Sequence, residues 1–591
     1  MNQFFKFVLA SMIGFALAAV ALGALFFFMM LGAAATSKPT VSVSKNSVLH
    51  LTLNQPMPEQ SNNVEMGMFD FSTEEIPGLQ ASIDAIRHAK TDDKISGIFI
   101  HPDQGVSMGL ASSKAFRNAL EDFKTSGKWV ISYSKYYTQG SYYLASVADE
   151  VYVNPMGTID IHGFSATIPF FKDMLDKLGI KMQVFYAGDF KSATEPYRLN
   201  KMSEQNRLQL REFLEPIFMQ FLGDIAEDRN LDVHSLRNVI DTLGVRNAED
   251  AVRYGLADSV VYIDAVLADM RTRLGLKDDD KVKMVSLPKY VSSFAKDRGK
   301  GKDKIAVVYA EGTIVAGKGE RGSIGDDKYV KLLRKIRKDE HVKAVVLRVN
   351  SPGGSALASE NIWRELQLIR EEGKKVVVSM GDYAASGGYY ISCEADTIFA
   401  QPNTLTGSIG VFSMIPNAKT LFEEKLGIHW DSVKTTKNSI GINTVFDLSD
   451  DEQKYLEEMT VQVYERFLQR VAEGRGMHRD SVHKIAQGRI WSGEKARELG
   501  LVDAIGGLDD AIAAAAQMTG LEKYKTVEYP ILPDPITELL EELTGQGDDN
   551  AVKAEILKQE LGEFYPYFMH IREVMQTKGP QARLPVMVEF N

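Results

Sequence analysis

The feature that most constrains the fold of this chain is an internal duplication. Residues 133–155 (YSKYYTQGSYYLASVADEVYVNP) and 380–402 (MGDYAASGGYYISCEADTIFAQP) align without gaps and share seven residues. Two more matches follow in the same order: DKLGI (176–180) with EKLGI (424–428), and AEDAVRYGLAD (248–258) with GEKARELGLVD (493–503). Three ordered matches at a spacing of about 247 residues predict two copies of one folding unit.

Each unit alternates short apolar runs with stretches of helical periodicity. In the second unit the runs are IAVVYAEG (305–312), AVVLRVN (344–350) and KVVVSM (375–380), with a helix over 358–373. The first unit repeats the pattern with ISGIFIHP (95–102) and KWVISYS (128–134). Continuous Val, Ile and Leu runs between helices are typical of strands buried on both faces, so the sequence predicts an α/β fold with parallel sheets.

These patterns divide the chain into four parts. The first unit is predicted over residues 41–295 and the second over 304–525, joined by the linker KDRGKGKDK (296–304), whose charges and glycines do not pack. Residues 526–591 are predicted to form a partly helical tail, and no chemistry is assigned to them.

Residues 7–35 carry no charge at all. The run is longer than the roughly 20 residues that cross a bilayer, so a transmembrane anchor is predicted over residues 1–40. A cleaved signal peptide is the alternative, because Ala33 and Ala35 give an A-x-A pattern; its apolar region is normally only about 7–15 residues long. Basic residues are too evenly placed on the two sides of the run to decide its orientation.

The net charge and the cysteine count limit the kind of protein that this chain can be. Lys and Arg number 68 against 79 Asp and Glu, a net charge of −11, which argues against nucleic acid as a partner. The single cysteine, Cys393, excludes an internal disulfide framework and a cysteine-rich zinc site.

Two turns of the second unit carry candidate catalytic groups. Gly353 and Gly354 follow the strand that ends at Asn350, and a paired-glycine turn before a helix can present N–H groups to an anion. A plain strand–helix turn is the alternative. Ser408 lies between Gly407 and Ile409-Gly410 after another strand, outside any G-x-S-x-G pattern. Small residues also end the strand at DYAASGGYY (382–390).

A catalytic serine needs a base. No histidine falls in the strand-end turns near residues 350, 385 or 408, so a buried lysine with a lowered pKa is the candidate. Lys191 lies between an apolar strand and a turn in VFYAGDFKSATEP.

Several of these motifs resemble those of a known family. The chain's apolar N-terminus, its tandem units and the motifs NSPGG (350–354), DYAASGGYY, LTGSIGVF (405–412) and GRIWSGEKARELGLVDAIGG (488–507) resemble the signal peptide peptidase A (protease IV) family in its long double-repeat form. The resemblance covers nearly all of residues 45–525. It implies the caseinolytic-protease/crotonase fold and a Ser/Lys dyad, with Ser408 as nucleophile and Lys191 as general base. Gly353 and Gly354 would supply oxyanion-hole amides.

The resemblance also implies a function. It predicts a membrane-anchored serine endopeptidase that degrades cleaved signal peptides and other hydrophobic peptides, with its catalytic body outside the bacterial cytoplasmic membrane. It further predicts a homotetramer and a reaction that needs no metal or organic cofactor. A crotonase-like acyl-thioester enzyme and a non-catalytic membrane scaffold remain alternatives.

The predicted dyad is divided between the repeats. Alignment on LGI places Lys191 opposite Ser439, and alignment on Pro155 and Pro402 places Ser408 opposite Ile161. Each unit keeps one half of the dyad, which predicts a single complete site per chain, built from both units, or one shared with a neighbouring chain.

Overall fold

The computed structural model describes residues 42–54, 56–63, 76–102, 105, 108–294, 299–532 and 579–584, with scattered positions in 7–22 and 557–565. Within this described part of the chain, no helix is both long and apolar enough to cross a membrane. The predicted anchor over residues 1–40 lies almost wholly outside the described residues, as does most of the tail after residue 532.

The first half of the chain contributes a six-stranded sheet flanked by helices. In its described residues this half of the chain contains seven strands: β1 (Ser47–Leu51), β2 (Ile95–Ile100), β3 (Trp129–Tyr137), β4 (Glu150–Ile159), β5 (Lys181–Ala187), β6 (Ser259–Val260) and β7 (Lys283–Ser286). Its helices are α1 (Leu79–Thr91), α2 (Leu110–Lys124), α3 (Gln139–Ala145), α4 (Lys172–Leu178), α5 (Glu195–Arg198), α6 (Glu204–Arg229), α7 (Val233–Asp241), α8 (Ala248–Arg253), α9 (Ile263–Arg273) and α10 (Leu287–Ser293). All strands except β5 form one parallel sheet in the order β6-β4-β3-β2-β1-β7.

The second half repeats this architecture with an eight-stranded sheet. The remaining strands are β8 (Lys304–Glu311), β9 (Thr313–Val315), β10 (Ser323–Gly325), β11 (Val342–Ser351), β12 (Gly353–Ser355), β13 (Lys375–Ala385), β14 (Thr397–Ala400), β15 (Leu405–Gly407), β16 (Val411–Asn417), β17 (Ile490–Ser492), β18 (Ala504–Ile505), β19 (Lys525–Tyr529) and β20 (Gln581–Arg583). The helices are α11 (Asp326–Lys338), α12 (Ala356–Glu371), α13 (Gly387–Tyr390), α14 (Asp450–Arg475), α15 (Arg479–Ile485), α16 (Gly493–Glu498) and α17 (Leu508–Thr519).

The sheet of the second unit runs in the order β17-β15-β13-β11-β8-β19, with β14 beside β13 and β18 beside β14. Every pairing in it is parallel except β15 with β17. The central strands β8, β11 and β13 are buried along nearly their whole length, which explains their continuous apolar sequences. The predicted parallel α/β units are confirmed, and the second sheet extends to Tyr529, beyond the predicted boundary at residue 525.

A third sheet joins the two halves of the chain. Its order is β10-β9-β12-β20-β16-β5, so strand β5 of the first unit lies in a sheet with strands of the second. β5 pairs antiparallel with β16 over seven residues, from Ala187 opposite Val411 to Lys181 opposite Asn417. Residues 581–583 of the tail add β20 to this sheet.

Buried polar contacts fix how the two units meet. The guanidinium of Arg348 on β11 binds both carboxylate oxygens of Glu59 in the first unit, at 2.9 and 3.0 Å. Asp382 on β13 accepts hydrogen bonds from the backbone N–H and the hydroxyl of Ser112, at 2.9 and 2.5 Å. Separating the units would leave the buried charges of Arg348 and Glu59 without each other as partners, at a cost of several kcal/mol.

Candidate active site

The predicted base and the predicted nucleophile meet in the structure. The Nζ atom of Lys191 lies 3.1 Å from Oγ of Ser408 and 3.1 Å from its carbonyl oxygen. A second serine completes the group, because Nζ is also 2.9 Å from Oγ of Ser386. All three residues are buried.

Strand pairing between the units explains this meeting. Ala187, the last residue of β5, pairs with Val411, the first residue of β16, so Lys191 and Ser408 both lie just beyond that end of the ladder. Within the second unit, β13 and β15 are parallel neighbours whose last residues, Ala385 and Gly407, are paired. Ser386 and Ser408 follow those residues directly and therefore lie side by side at the carboxyl edge of the sheet.

Burial sets the charge state of the lysine. Lys191 is 1% exposed. Two glycines allow its close packing: a Cβ built on Gly488 would lie 2.6 Å from Cβ of Lys191, and one on Gly410 would lie 3.2 Å from its Cδ. Desolvation lowers the pKa of Lys191 well below its usual value of 10.5, and no acidic side chain opposes that shift. The geometry therefore favours a neutral amine, which is able to accept a proton.

Ser386 is the functional candidate that sequence reasoning missed. It lies between the end of β13 and the start of α13, with φ 55° and ψ −113°, a strained backbone conformation for a residue with a side chain. Hydrolases often place a nucleophilic serine on such a strained turn from strand to helix. The only sequence signal is a serine before two glycines at the end of a predicted strand, in AASGGYY.

The paired-glycine turn contributes one amide to the site rather than two. The N–H of Gly353 donates to Oγ of Ser351 at 3.2 Å, so this amide is already engaged. Gly353 matters instead for its missing side chain, since a Cβ there would lie 2.7 Å from the nitrogen of Gly387. A Cβ on Gly387 would lie 3.1 Å from the nitrogen of Gly354. The amides of Gly354 and Gly387 therefore border one small space beside Ser386.

At the positions that match Ser386 and Ser408, the described first unit carries other side chains. Gln139 stands opposite Ser386 in the repeat alignment, and its side-chain amide bonds to the backbone of Gly163, donating to the carbonyl at 3.1 Å and accepting from the N–H at 3.2 Å. Ile161 stands opposite Ser408. Ser439, opposite Lys191, lies in an exposed turn of the second unit. Across the described residues, no group of three or more His, Cys, Asp or Glu side chains has a metal-binding arrangement.

The burial of Lys191 is expected to lower the stability of the folded protein near neutral pH, although activity needs this residue. Between its lowered folded pKa and 10.5, the unfolded chain binds a proton at Lys191 that the folded chain does not. Stability therefore rises with pH in that window, and Lys191 costs stability near neutrality. We expect Lys191→Met to raise the melting temperature at about pH 7, with the difference shrinking toward pH 10, and to abolish hydrolysis. An equal or lower melting temperature at pH 7 would contradict a buried neutral amine.

Known proteins resemble the chain over most of its length. A model of Peptidase family S49 matches residues 122–277 and again residues 369–522, once in each unit. Protease 4 of Haemophilus influenzae is 36% identical over 471 residues, which cover 78% of this chain and 76% of that protein. The chloroplastic serine protease SPPA of Arabidopsis thaliana is 31% identical over 555 residues, 92% of this chain and 78% of that protein.

Two further similarities cover less of the chain. A protein of Enterococcus faecium named "Putative signal peptide peptidase SppA" is 35% identical over 238 residues, 39% of this chain and 69% of that protein. The solved structure of a mutant ClpP1 from Listeria monocytogenes aligns over 94% of its own chain and 35% of this one, with 19% identity; its TM-score of 0.24 is too low to support an argument. The family model matches both units, and the relatives cover most of the chain. The chain therefore belongs to peptidase family S49 and is a serine protease.

Proposed function

We propose that this protease cleaves peptide bonds with Ser386 as its nucleophile, Lys191 as its general base, and the N–H groups of Gly354 and Gly387 as its oxyanion hole. The observation that carries the proposal is the position of Ser386, which contacts Lys191 at 2.9 Å and directly precedes Gly387. An attacking oxygen and an oxyanion donor on adjacent residues can act on one carbonyl group.

The hydrogen bonds of Lys191 support this assignment of roles. A neutral amine has two N–H donors and one lone pair. Ser408 offers two acceptors, its hydroxyl and its carbonyl oxygen, each 3.1 Å from Nζ. If these take the two N–H groups, the lone pair is left for the hydroxyl of Ser386, whose proton Lys191 then accepts.

The proposed reaction is acyl transfer in two stages. Oγ of Ser386 attacks the peptide carbonyl carbon while its proton passes to Lys191, and the oxyanion is bound by the two glycine amides. The C–N bond then breaks, and Lys191 returns the proton to the leaving amine. In the second stage Lys191 takes a proton from water, the water attacks the ester, and Ser386 regains its hydrogen.

Ser408 receives a different role in this proposal from the one that the family resemblance assigns to it. It holds the amine of Lys191 in place through two contacts, and its own N–H donates to the carbonyl of Arg489 at 2.7 Å. The alternative, Ser408 as nucleophile, uses the same lysine but has no glycine amide directly after it. The nucleophile test in the Discussion separates the two assignments.

For substrate and location we propose signal peptides and other hydrophobic peptides, met at the outer face of a bacterial cytoplasmic membrane. The support is the name of the Enterococcus faecium relative and the uncharged run over residues 7–35. That run would anchor the chain, and the proposed assembly is a homotetramer, as the family resemblance implies. No metal or organic cofactor has a part in the proposed steps.

The test is cleavage of a synthetic signal peptide by the full chain in detergent, compared with a polar peptide of equal length. We expect the unaltered chain to cleave the signal peptide but not the polar peptide, and we expect the Lys191→Met variant to cleave neither. A chain lacking residues 1–40 is the matched control: it should leave the membrane fraction and still cleave. Equal cleavage of both peptides would reject the substrate class, and membrane retention of the shortened chain after carbonate washing would reject the single anchor.

A further inference from the structure

Residues 579–584, near the end of the chain, lie in the active-site cleft. Strand β20 pairs antiparallel with β12, with Gly353 opposite Arg583, Gly354 opposite Ala582 and Ser355 opposite Gln581. On its other side it meets β16, where Gln581 stands opposite Phe412. The segment is therefore held between the paired-glycine turn and the strand that begins just after Ser408.

The ladder continues beyond the strand at both ends. The N–H of Ala356 donates to the carbonyl of Pro580 at 3.3 Å, and the N–H of Leu584 donates to the carbonyl of Pro352 at 2.9 Å. In an antiparallel ladder every second pair of opposite residues is hydrogen-bonded. The bonds above make Pro352 with Leu584 and Ala356 with Pro580 two such pairs. Gly354 with Ala582, halfway between them, is therefore a hydrogen-bonded pair as well. An extended peptide is bound here through its main chain, as peptides bind at exposed sheet edges.

One carbonyl of this segment lies where a substrate's reacting carbonyl would lie. A Cβ on Gly353 would lie 2.2 Å from the carbonyl oxygen of Ala582, and a Cβ on Gly387 would lie 3.1 Å from it. The same two Cβ positions lie 2.7 Å from the nitrogen of Gly387 and 3.1 Å from the nitrogen of Gly354, respectively. The Ala582 carbonyl oxygen thus occupies the space assigned above to the oxyanion.

Side-chain burial shows what the cleft accepts around that carbonyl. Ala582 is 1% exposed, so its small side chain is enclosed. Two residues later, Leu584 is 6% exposed and joins an apolar cluster that includes Phe213 of the first unit and Leu405 of the second. A residue larger than alanine at position 582 would have to displace its surroundings.

We propose that residues 579–584 are an intramolecular ligand of the substrate cleft, competing with extended peptides that have a small residue before the scissile bond and a leucine-sized apolar residue two positions after it. This inference rests on the proposed function of the same site. The tail is tethered to the enzyme, so its effective concentration is on the order of millimolar. The apparent KM is the intrinsic KM divided by the fraction of molecules whose cleft is empty.

The experiment compares three chains: the full chain, a chain ending at Leu584, and a chain ending at Lys578. The substrate is a fluorogenic peptide amide with alanine before the dye. We expect the chain ending at Lys578 to show a KM about three- to tenfold lower with kcat unchanged, and the chain ending at Leu584 to match the full chain. A synthetic peptide of residues 579–584, added to the shortest chain, should inhibit competitively.

Other results would overturn the proposal. An unchanged KM in the shortest chain would show that the segment does not compete, and a collapse of kcat with a lower melting temperature would make β20 a structural strand. Ala582→Trp in the full chain tests the same point without truncation and should also lower KM. If none of the three chains hydrolyses any peptide, the proposed function fails instead, which is a distinct outcome.

Discussion

Ser386→Ala is expected to lower kcat by about 10⁴-fold or more, because it removes the attacking oxygen. Ser408→Ala is expected to lower it only about 10- to 100-fold, because Lys191 loses a hydrogen-bond partner but keeps its carbonyl contact at 3.1 Å and its contact with Ser386. The measurement is kcat on a fluorogenic peptide, with folding checked by melting temperature. A fluorophosphonate probe should label Ser386 and leave Ser408 unmodified.

The double variant Lys191→Ala with Ser386→Ala should be little worse than either single variant, since groups that act as a unit lose their effect together. Lys437→Ala is the control in the second unit, because Lys437 is exposed and paired with Asp451. It should retain full activity. If Ser408→Ala is inactive while Ser386→Ala keeps most of its kcat, the roles of the two serines are the reverse of those proposed.

Gly353→Ala is expected to lower kcat by about 10²- to 10³-fold, the usual effect of losing one oxyanion donor. Its methyl group would lie 2.7 Å from the nitrogen of Gly387, inside the space that must hold the oxyanion. Gly353 also has φ +98°, so an alanine there adds backbone strain that alone costs stability. Both kcat and melting temperature should therefore be measured.

Gly373→Ala separates the two effects. Gly373 has a similar φ of +87°, and a Cβ there would meet nothing within 4 Å. It should lose the stability that the backbone strain alone costs, with no loss of kcat. If Gly353→Ala turns over substrate as fast as Gly373→Ala, the space beside Gly353 does not hold the oxyanion.

The units were predictable because their sequence signals are local and repeated. Long apolar strands such as β8 and β11 are read directly from runs of Val, Ile and Leu. Lys191 is harder to predict, because its role depends on β5 pairing with β16, which lies more than 200 residues away in the chain. No periodicity carries that information, and the family resemblance supplied it.

Ser386 and the tail strand were missed for different reasons. Ser386 and Ser408 both follow the end of a strand among small residues, and both have a positive φ, 55° and 49°. The glycine amides beside Ser386, which distinguish it from Ser408, are visible only in three dimensions. Strand β20 is three residues long, too short for an alternation pattern, and only its partners on both sides make it a strand.

The pairing of β5 with β16 also determines when, during its synthesis, the chain can first form the proposed catalytic group. Ribosomes make the lysine half first, and that half carries Gln139 and Ile161 where serines would be needed. The hydroxyl groups arrive more than 190 residues later, and the strand that brings them against Lys191 ends at Asn417. The catalytic group therefore cannot form until the first unit and about half of the second have been made.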